Sequence, residues 1–381
     1  MRTLGLVLGM MLAAGPQFGG AAAGDLTQAE SGLARPLESA PSSHESETRA
    51  IISEVSQAWF RSEWRAYRSA FVSPEGRVID NANGGISHSE GQGYGLLLAA
   101  FADDHDAFQL IWNWTEKNLR GRPDLLFAWQ WDPSKNQIVD KNNATDGDIL
   151  VAWALAEGAR RFARSDYLTA AKPIAQAIGA EMLQNSNHGA ILLPAASGFS
   201  RKDQPDGPII NLSYWVFPAF STLRELAPEY DWEALRESGL SLLNGSRFGP
   251  RQLPADWQSV GDGVIAPARN FPPQFGYNAI RIPLYLAWSG DNASRRALRR
   301  FVGLTQGPLN VGLYVIDVNS GAAEQALDGA GYRLVVALAR CAALGQPIDS
   351  ELIKSRDALY YPETLRMLSL VVIQQRFSQC M

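Results

Sequence analysis

The sequence predicts an all-α protein in which a ring of buried helices is wrapped by a layer of amphipathic helices. From Arg49 onward, apolar residues recur at helical spacing between loops rich in Gly, Pro, Asn and Asp, and alternating β-branched runs are scarce. Some helical segments have one apolar face, whereas others are apolar nearly all round. Because helices of the second kind must be surrounded by protein, we expect them to form the inner ring.

About twelve segments have helical spacing. The first has one face to bury, since Ile51, Val55 and Trp59 are four residues apart, and the fourth likewise has one apolar face that includes Ile149 and Trp153. The sixth and eighth are apolar on every side, so we assign them to the inner ring. In chain order the predicted helices span 49–69, 89–102, 104–119, 146–163, 167–185, 212–226, 231–247, 276–290, 292–304, 323–345, 350–358 and 361–377.

Composition excludes several classes of function. The chain has 381 residues and a net charge of -5, without a basic footprint, so nucleic acid is not an expected partner. After the N-terminal apolar run 4–14, the chain has no Lys/Arg-rich run and no apolar stretch of about 18 residues, so we expect no membrane insertion. An acidic balance together with 11 Trp, 11 Tyr and 15 Phe fits a neutral ligand such as a sugar.

The N-terminal region reads as a targeting segment rather than as part of the fold. Arg2, the apolar run 4–14 and the small residues 21–23 are typical of a secretory signal peptide, residues 1–23, with cleavage after Ala23. Residues 24–48 are Ser/Ala/Glu/Pro-rich and aperiodic, which predicts a flexible lead-in. Residues 49–381 show no change in composition and form one predicted domain. Cys341 and Cys380 can pair in an oxidising compartment, although their sequence separation does not decide it.

The most informative motif is Ser89 to Gly95, where Glu90 stands among three glycines just before an apolar helix. We interpret the glycines as making room for a large ligand beside Glu90, with Tyr94 as a flat face for it. Ser89 and Gln92 have the spacing of a capping box, which places Glu90 in the first turn of the helix. The alternative is that Glu90 only opposes the helix dipole, since acidic residues favour first turns.

Two further clusters also begin helices. Asp146 and Asp148 lie within the polar run 142–148, where Thr145 is the candidate N-cap. Asn278 and Arg281 follow the two prolines of the run 271–281. Each is alternatively an ordinary polar turn before a helix. If the inner helices run in the same direction, however, their N-termini meet at one end and bring Glu90, Asp146 and Asn278 together. Arg281 is then a candidate partner for a carboxylate of the cleft, or a structural residue.

Aromatic residues in the same regions are candidate sugar contacts, because sugar rings stack on aromatic faces. Trp129, Tyr214 and Tyr277 are the candidates besides Tyr94. The sequence contains no HExxH, CxxC, Walker or GxSxG motif and only four His. We therefore expect neither a metal site nor a cofactor.

Four motifs together, SEGQGYG at 89–95, NNATDGD at 142–148, NLSYWVFPA at 211–219 and FGYNAIRIPLYLAW at 275–288, resemble glycoside hydrolase family 8. The resemblance is strongest to bacterial cellulases encoded beside cellulose synthase and to their rhizobial relatives. It implies an all-α (α/α)6 barrel with an open cleft at one end. It also implies inverting endo-hydrolysis of β-1,4-glucan, with Glu90 as the proton donor and Asp146 as the carboxylate that holds the sugar at the cleavage point.

The chain departs from the family pattern at Asn278, where many relatives have an Asp that serves as general base. An amide cannot take a proton from water, which leaves three readings. Another carboxylate such as Asp146, Asp148 or Asp262 activates the water, or Asn278 orients the water in a slow enzyme, or the position was altered to trap a substrate. Glu90 poses a second question, because a helix N-terminus lowers a carboxyl pKa whereas a general acid must keep its proton. We expect desolvation and repulsion from Asp146 to raise the pKa of Glu90.

The sequence thus predicts an exported endo-β-1,4-glucanase that is secreted or periplasmic and needs no cofactor. Its expected substrate contacts are Tyr94, Trp129, Asp148, Tyr214, Tyr277, Asn278 and Arg281. The expected partner is a cellulose-type β-1,4-glucan, and a functional association with a cellulose synthase complex is possible. The alternatives are another β-1,4-glycan hydrolase, such as a xylanase or chitosanase, and a weak or inactive relative that only binds cellulose.

Overall fold

The computed structural model describes residues 43–304 and 312–381, with the side chains of residues 43–53 and of Val55 left out. Residues 50–381 form one compact unit. The predicted signal peptide, residues 1–23, and most of the predicted lead-in therefore lie outside the described residues. The α-helices of the described part are α1 (Ser43–Phe71), α2 (Ser89–Phe101), α3 (His105–Leu119), α4 (Thr145–Phe162), α5 (Ser165–Met182), α6 (Phe220–Leu226), α7 (Trp232–Gly245), α8 (Arg281–Ser289), α9 (Asn292–Leu298), α10 (Ala330–Leu344), α11 (Ser350–Lys354) and α12 (Tyr360–Arg376).

The even-numbered helices form the inner ring. α2 packs on α4 and α4 on α6, the 3-10 turn Phe217–Ala219 before α6 packs on α8, α8 packs on α10 and α10 on α12, and α12 closes the ring against α2. The odd-numbered helices cover the outside: α3 packs on α2, α5 on α4 and α9 on α8. Because the inner helices are surrounded, nearly all residues of α2 are buried. The predicted (α/α)6 barrel is thus confirmed.

The amphipathic interpretation of the fourth segment is wrong. α4 is an inner helix that is buried on all sides over its first three turns, and its exposed residues are confined to its C-terminal end. The sixth predicted helix is shorter than expected, since 3-10 turns at Leu212–Tyr214 and Phe217–Ala219 precede α6. Pro218 lacks an N–H, so a regular helix can begin there but cannot run through it.

Small antiparallel sheets fill the loops, which the scarcity of alternating runs did not predict. The strands are short: β1 (Ser87–His88), β2 (Gln130–Asp132), β3 (Gln137–Asp140), β4 (Leu183–Ser186), β5 (Gly189–Leu192), β6 (Ile209–Ile210), β7 (Gln258–Ser259), β8 (Ala266–Pro267), β9 (Gln274–Phe275), β10 (Tyr314–Asp317) and β11 (Ala323–Ala326). They pair in the orders β1-β2-β3, β4-β5, β6-β7-β8 and β11-β10-β9. Because β1 runs directly into α2, its pairing with β2 anchors the first turn that carries Glu90.

The glycines around Glu90 serve helix packing rather than ligand access, which corrects our interpretation. A Cβ on Gly93 would lie 2.5 Å from the Cβ of Leu150 on α4, and a Cβ on Gly147 would lie 2.9 Å from the backbone N of Glu90. α2 and α4 therefore approach each other through glycine on both sides. This contact brings the first turn of α4 directly against the first turn of α2.

The predicted caps of these two helices are also wrong. The N-cap of α2 is His88, whose imidazole accepts a hydrogen bond from the N–H of Gly91. Gln92 is buried, and its side-chain oxygen accepts a 2.6 Å bond from the N–H of Val78. Thr145 does not cap α4, because its hydroxyl donates to the carbonyl of Leu193 at 2.7 Å. Side-chain partners from distant segments have displaced the local ones.

Cys341 on α10 forms a disulfide with Cys380, which attaches the end of the chain to an inner helix. The pairing that the sequence left undecided is thereby established. Among the residues that the structure describes, no helix has the length and apolarity needed to cross a bilayer.

Candidate active site

A groove of about 600 Å³ lies where the loops before α2, α8, α10 and α12 converge. Glu90 and Asn278 line it, together with Tyr277, Tyr361, Asp80 and Asp328. The helix N-termini of the inner ring meet at this end, as the sequence predicted. Asp146 does not line the groove, since its side chain is fully buried directly beneath it.

Arg281 connects Asp146 to the groove. One terminal nitrogen donates to Asp146 at 2.5 Å and to the hydroxyl of Tyr94 at 3.3 Å. The other donates to Asn278 at 2.8 Å and to Ser213 at 2.9 Å. Arg281 is therefore the partner of a site carboxylate, and its guanidinium links all four motifs, through Tyr94, Asp146, Ser213 and Asn278.

The charges of this network shift the pKa values of the two carboxyls in opposite directions. Burial raises the pKa of Asp146 to about 7; Arg281 acts against this, and the nearby charge of Glu90 reinforces it. Burial alone would also raise the pKa of Glu90, but the charge and hydrogen bond of His88 outweigh it and hold that pKa below its usual range. The expected upward shift thus falls on Asp146 rather than on Glu90.

The side chain of Glu90 is 15% exposed, so it can reach a ligand in the groove. Its Oε2 atom lies 3.2 Å from Nδ1 of His88 and 3.3 Å from the hydroxyl of Ser89. A carboxyl that is desolvated on most sides and open on one is suited to exchange a proton with a bound molecule.

The aromatic candidates divide into groove residues and buried ones. Tyr277 is 37% exposed and forms an aromatic cluster with Tyr332 and Tyr361 along the groove. Tyr94 is only 1% exposed, and its hydroxyl bonds to that of Tyr285 at 2.7 Å. The ring of Tyr94 therefore offers no open face for a sugar, contrary to our interpretation, and only its hydroxyl belongs to the site.

Two other candidates lie beside the groove. Tyr214 is 8% exposed, and the guanidinium of Arg281 lies 5.4 Å from the centre of its ring. Trp129 lies next to α2, because its carbonyl accepts a hydrogen bond from the N–H of Ser89. It is partly exposed. Tyr214 thus supports Arg281, whereas Trp129 leaves part of its surface available to a ligand.

Asp148 is not a substrate contact, which is a correction. It is completely buried and accepts bonds from the N–H of Phe127 at 2.8 Å and from the amide of Asn143 at 2.9 Å. Asp262 is also removed from the candidate bases, because it is exposed on a loop outside the groove, where it pairs with Arg201. Neither side chain can activate a water molecule in this groove.

Sequence reasoning missed four acidic or basic residues of the site. His88 and Asp80 line the groove on one side of Glu90, and Asp328 is exposed within it. Asp256 lies beneath the loop of Asn278 and accepts bonds from the N–H groups of Gly276 and Ala279 at 2.9 and 2.8 Å. Only His88, adjacent to the Glu90 motif, carried a local signal. In residues 43–304 and 312–381 no three His, Cys, Asp or Glu side chains cluster as a metal site would require.

A barrel of paired helices, with one partly exposed carboxyl in a groove and a second one buried below it, fits the two-carboxyl chemistry of glycoside hydrolysis. The sequence profile of glycosyl hydrolases family 8 matches residues 47–375. The chain belongs to this family. The resemblance that the four motifs carried is confirmed.

Similar proteins agree with this assignment. The chain is 38% identical to an endoglucanase of Cellulomonas uda over 61% of its length and 41% identical to a probable endoglucanase of Novacetimonas hansenii over 60%. These alignments span slightly less than two thirds of the two relatives, 65% and 66%. A solved family 8 endo-β-1,4-glucanase from an Achatina fulica gut metagenomic library superimposes with a TM-score of 0.73 at 33% identity, over 82% of this chain and 98% of that one.

Proposed function

We propose that this protein is an inverting endo-β-1,4-glucanase that cleaves internal bonds of cellulose-type glucans. The observation that carries the proposal is Glu90, whose partly exposed carboxyl lines an aromatic groove above the Asp146–Arg281 pair. The proposal is supported by the names of the similar endoglucanases.

In this mechanism Glu90 protonates the glycosidic oxygen as the bond to C1 breaks, and a water molecule attacks C1 from the opposite face. Asp146 is buried below the groove, where it binds Arg281, and Arg281 lines the groove, so Asp146 acts on the sugar at the cleavage point through Arg281. Tyr277 supplies an exposed ring for stacking of a neighbouring sugar. No step requires a metal or an organic cofactor.

The general base is the remaining role. Asn278 accepts a bond from Arg281 and cannot deprotonate water. Of the carboxylates that line the groove in the described part of the chain, Asp328 alone is exposed. We assign the base to Asp328 in preference to Asp146, which is buried and already paired with Arg281.

We also propose that the protein is exported through a signal peptide in residues 1–23, that residues 49–381 are one catalytic domain, and that it acts in the periplasm or outside the cell. A functional association with a cellulose synthase complex rests on the resemblance to cellulases encoded beside such synthases. The alternative of an inactive cellulose-binding relative is motivated by Asn278. Xylan and chitosan remain alternative substrates for the same groove.

The test is reducing-sugar release and viscosity loss with carboxymethylcellulose, with xylan and chitosan as comparisons. We expect Glu90→Gln to lower kcat by about 10²–10⁴-fold, the usual contribution of a general acid. Glu351→Gln is the matched control, because Glu351 also lies in a helix first turn but is exposed on α11 away from the groove. Wild-type protein that binds cellulose without cleaving it would overturn the proposal in favour of a binding protein.

The base assignment has its own experiment. We expect Asp328→Asn to lower kcat and added azide, a nucleophile that needs no deprotonation, to restore bond cleavage. A large rate increase in Asn278→Asp would instead show that a base is missing from the wild-type groove. If Asp146→Asn lost activity that azide restores, and Asp328→Asn stayed fully active, the general base would be Asp146 instead.

A further inference from the structure

His88 stands between two carboxylates at the edge of the groove. Its Nδ1 atom accepts a 3.0 Å hydrogen bond from the N–H of Gly91 and lies 3.2 Å from Oε2 of Glu90. Its Nε2 atom lies 3.7 Å from Asp80, within ion-pair distance. The imidazole is therefore both the cap of α2 and the group that joins Asp80 to Glu90.

The contacts of Nδ1 with Gly91 and with Glu90 determine where the proton between His88 and Glu90 lies. To accept from Gly91, Nδ1 must offer its lone pair, so it carries no hydrogen. An ionised Glu90 has no hydrogen to offer, so a bond between Oε2 and that nitrogen then requires a protonated carboxyl. The cap of α2 thus favours placing the shared proton on Glu90, where a general acid needs it.

Asp80 determines the other side of the ring. Its oxygens accept bonds from the N–H of Ala82 at 3.1 Å and from the amide of Asn83 at 2.6 Å. Burial alone would raise the pKa of Asp80, but its bonds to His88 and Asn83 lower it, so Asp80 stays charged. A fixed negative charge near Nε2 keeps a hydrogen on that nitrogen and leaves Nδ1 to exchange with Glu90.

We infer that His88, held by Asp80, shares one proton with Glu90 and so keeps this general acid loaded at the pH at which the enzyme works. The inference rests on the proposed role of Glu90 as proton donor. His88 is then a positioning residue that transfers a proton to Glu90, and not only the N-cap of α2. This sharing also explains how an acid at a helix N-terminus keeps its proton.

The groups around the pair are consistent with a retained proton. Burial lowers the affinity of His88 for a proton, but Glu90 and Asp80 more than compensate, and its pKa is raised to about 10. The pKa of Glu90 is lowered in turn by the charge of His88. These shifts favour an ion pair with the proton on His88, whereas the hydrogen bond from Gly91 favours the proton on Glu90, so the two side chains share it. From α12, Tyr360 packs edge-on against His88 with ring centres 5.8 Å apart and offers no countercharge.

The proton balance of the step is simple. When the C1–O bond breaks, its electron pair stays on the leaving oxygen, which takes the proton from Glu90. In the ion-pair form of the couple, that proton first moves from Nδ1 to Oε2, and His88 ends neutral with its remaining hydrogen towards Asp80. The attacking water forms the new C1–OH bond and releases one proton to the base, and solvent returns one proton to the pair.

His88→Asn is the informative variant, because Asn is a good N-cap that can still accept the Gly91 N–H but cannot hold an exchangeable proton. With a cello-oligosaccharide we expect kcat to fall by about tenfold or more at an unchanged KM, and the alkaline limb of the pH–rate profile to move to lower pH. With a dinitrophenyl leaving group, which departs without protonation, kcat should hardly change. Equal losses with both leaving groups and an unmoved alkaline limb would show that His88 only caps α2.

The matched control is His105→Asn, since His105 also begins a helix but contacts Tyr167 away from the groove. Asp80→Asn should shift the alkaline limb in the same direction as His88→Asn. A measurement that needs no activity is the NMR titration of the four histidines. We expect His88 to titrate well above an ordinary histidine and to return towards it in Glu90→Gln. An ordinary titration of His88 in the wild type would overturn the inference even if Glu90 is the acid.

Discussion

Two buried arginines show how the same side chain serves structure in one region and chemistry in another. Arg366, on α12, has no exposed surface and donates to Glu63 of α1, to Glu363 and to the carbonyl of Ile353. Arg281, below the groove, donates to one carboxylate, Asp146, and otherwise to neutral oxygens. Its Nε atom is buried without a partner.

The difference lies in how completely each charge is compensated. Two carboxylates surround Arg366. Burial alone would raise the pKa of Glu63, one of the two, but Arg356 and Arg366 outweigh burial and hold that pKa below its usual range. At Arg281 a single carboxylate has a pKa raised to about 7 by burial. A closed cluster is locked in one protonation state, whereas an incompletely paired one can change its charge when a ligand binds.

The largest expected effect is on stability at the closed cluster. Arg366→Met leaves Glu63 and Glu363 buried without their main countercharge, which we expect to lower the free energy of unfolding by about 3–5 kcal/mol. Denaturant unfolding measures it. Arg356→Met is the matched control, because Arg356 binds the same Glu63 but its side chain is 49% exposed, so the expected cost is below about 1 kcal/mol. Similar costs for both variants would contradict the comparison.

The next effect is on activity at the open cluster. Arg281→Met removes the group that orients Asp146, so we expect kcat on carboxymethylcellulose to fall by about 10²–10³-fold. The same change should raise the pKa of Asp146 further, because Arg281 lowers it at present. Asp146 can then become neutral near pH 7 instead of remaining a buried charge, so the loss of stability should be smaller than in Arg366→Met. A destabilisation as large as that of Arg366→Met would remove the distinction.

The smallest expected effect is on the pH dependence of Tm, through Asp148 in the first turn of α4. Burial raises the pKa of Asp148 to about 8, against the bonds from Phe127 and Asn143. Its contribution to stability is therefore fully present below an unfolded pKa of about 4 and is lost as pH rises through about 8. Asp148→Asn cannot titrate, so thermal unfolding should show a weaker fall in Tm over this range, with activity changed no more than a few-fold.

Asp166→Asn is the control of opposite sign. A hydrogen bond from Arg164 lowers the pKa of Asp166, so its contribution is present above the unfolded pKa and is lost as pH falls. Replacing Asp166 should therefore alter only the acid side of the Tm profile. If Asp148→Asn abolished activity as Asp146→Asn should, Asp148 would have to be returned to the site.

The helices could be predicted well because their signal is local. Apolar spacing along residues 104–119 or 361–377 repeats every turn, and α3 and α12 lie within a residue or two of these bounds. The caps could not be predicted in the same way, because their partners are distant in sequence. Thr145 bonds to Leu193, and Gln92 bonds to Val78 and Thr115. A long-range hydrogen bond in the barrel outweighed the local one that the spacing favoured.

The glycines of the Glu90 motif illustrate the same limit. From the sequence they resembled an opening for a ligand, yet the Cβ positions show that α4 occupies the space. Likewise, Asp146 and Asp148 are equivalent in the sequence but face different partners, Arg281 and Asn143. Side chains two residues apart on a helix differ in direction by about 200°, so only one of these two can point towards the groove.

By itself, the sequence determined the family, the all-α barrel and the identity of Glu90, Asp146, Asn278 and Arg281 as residues that belong together. Periodicity and motif order carry this information because both are properties of the chain read locally. The tertiary structure alone decided which charges are compensated. His88 between Asp80 and Glu90, and Arg281 beneath the groove, are contacts whose pKa shifts depend on burial and on distances of a few ångströms. No spacing along the chain records those distances.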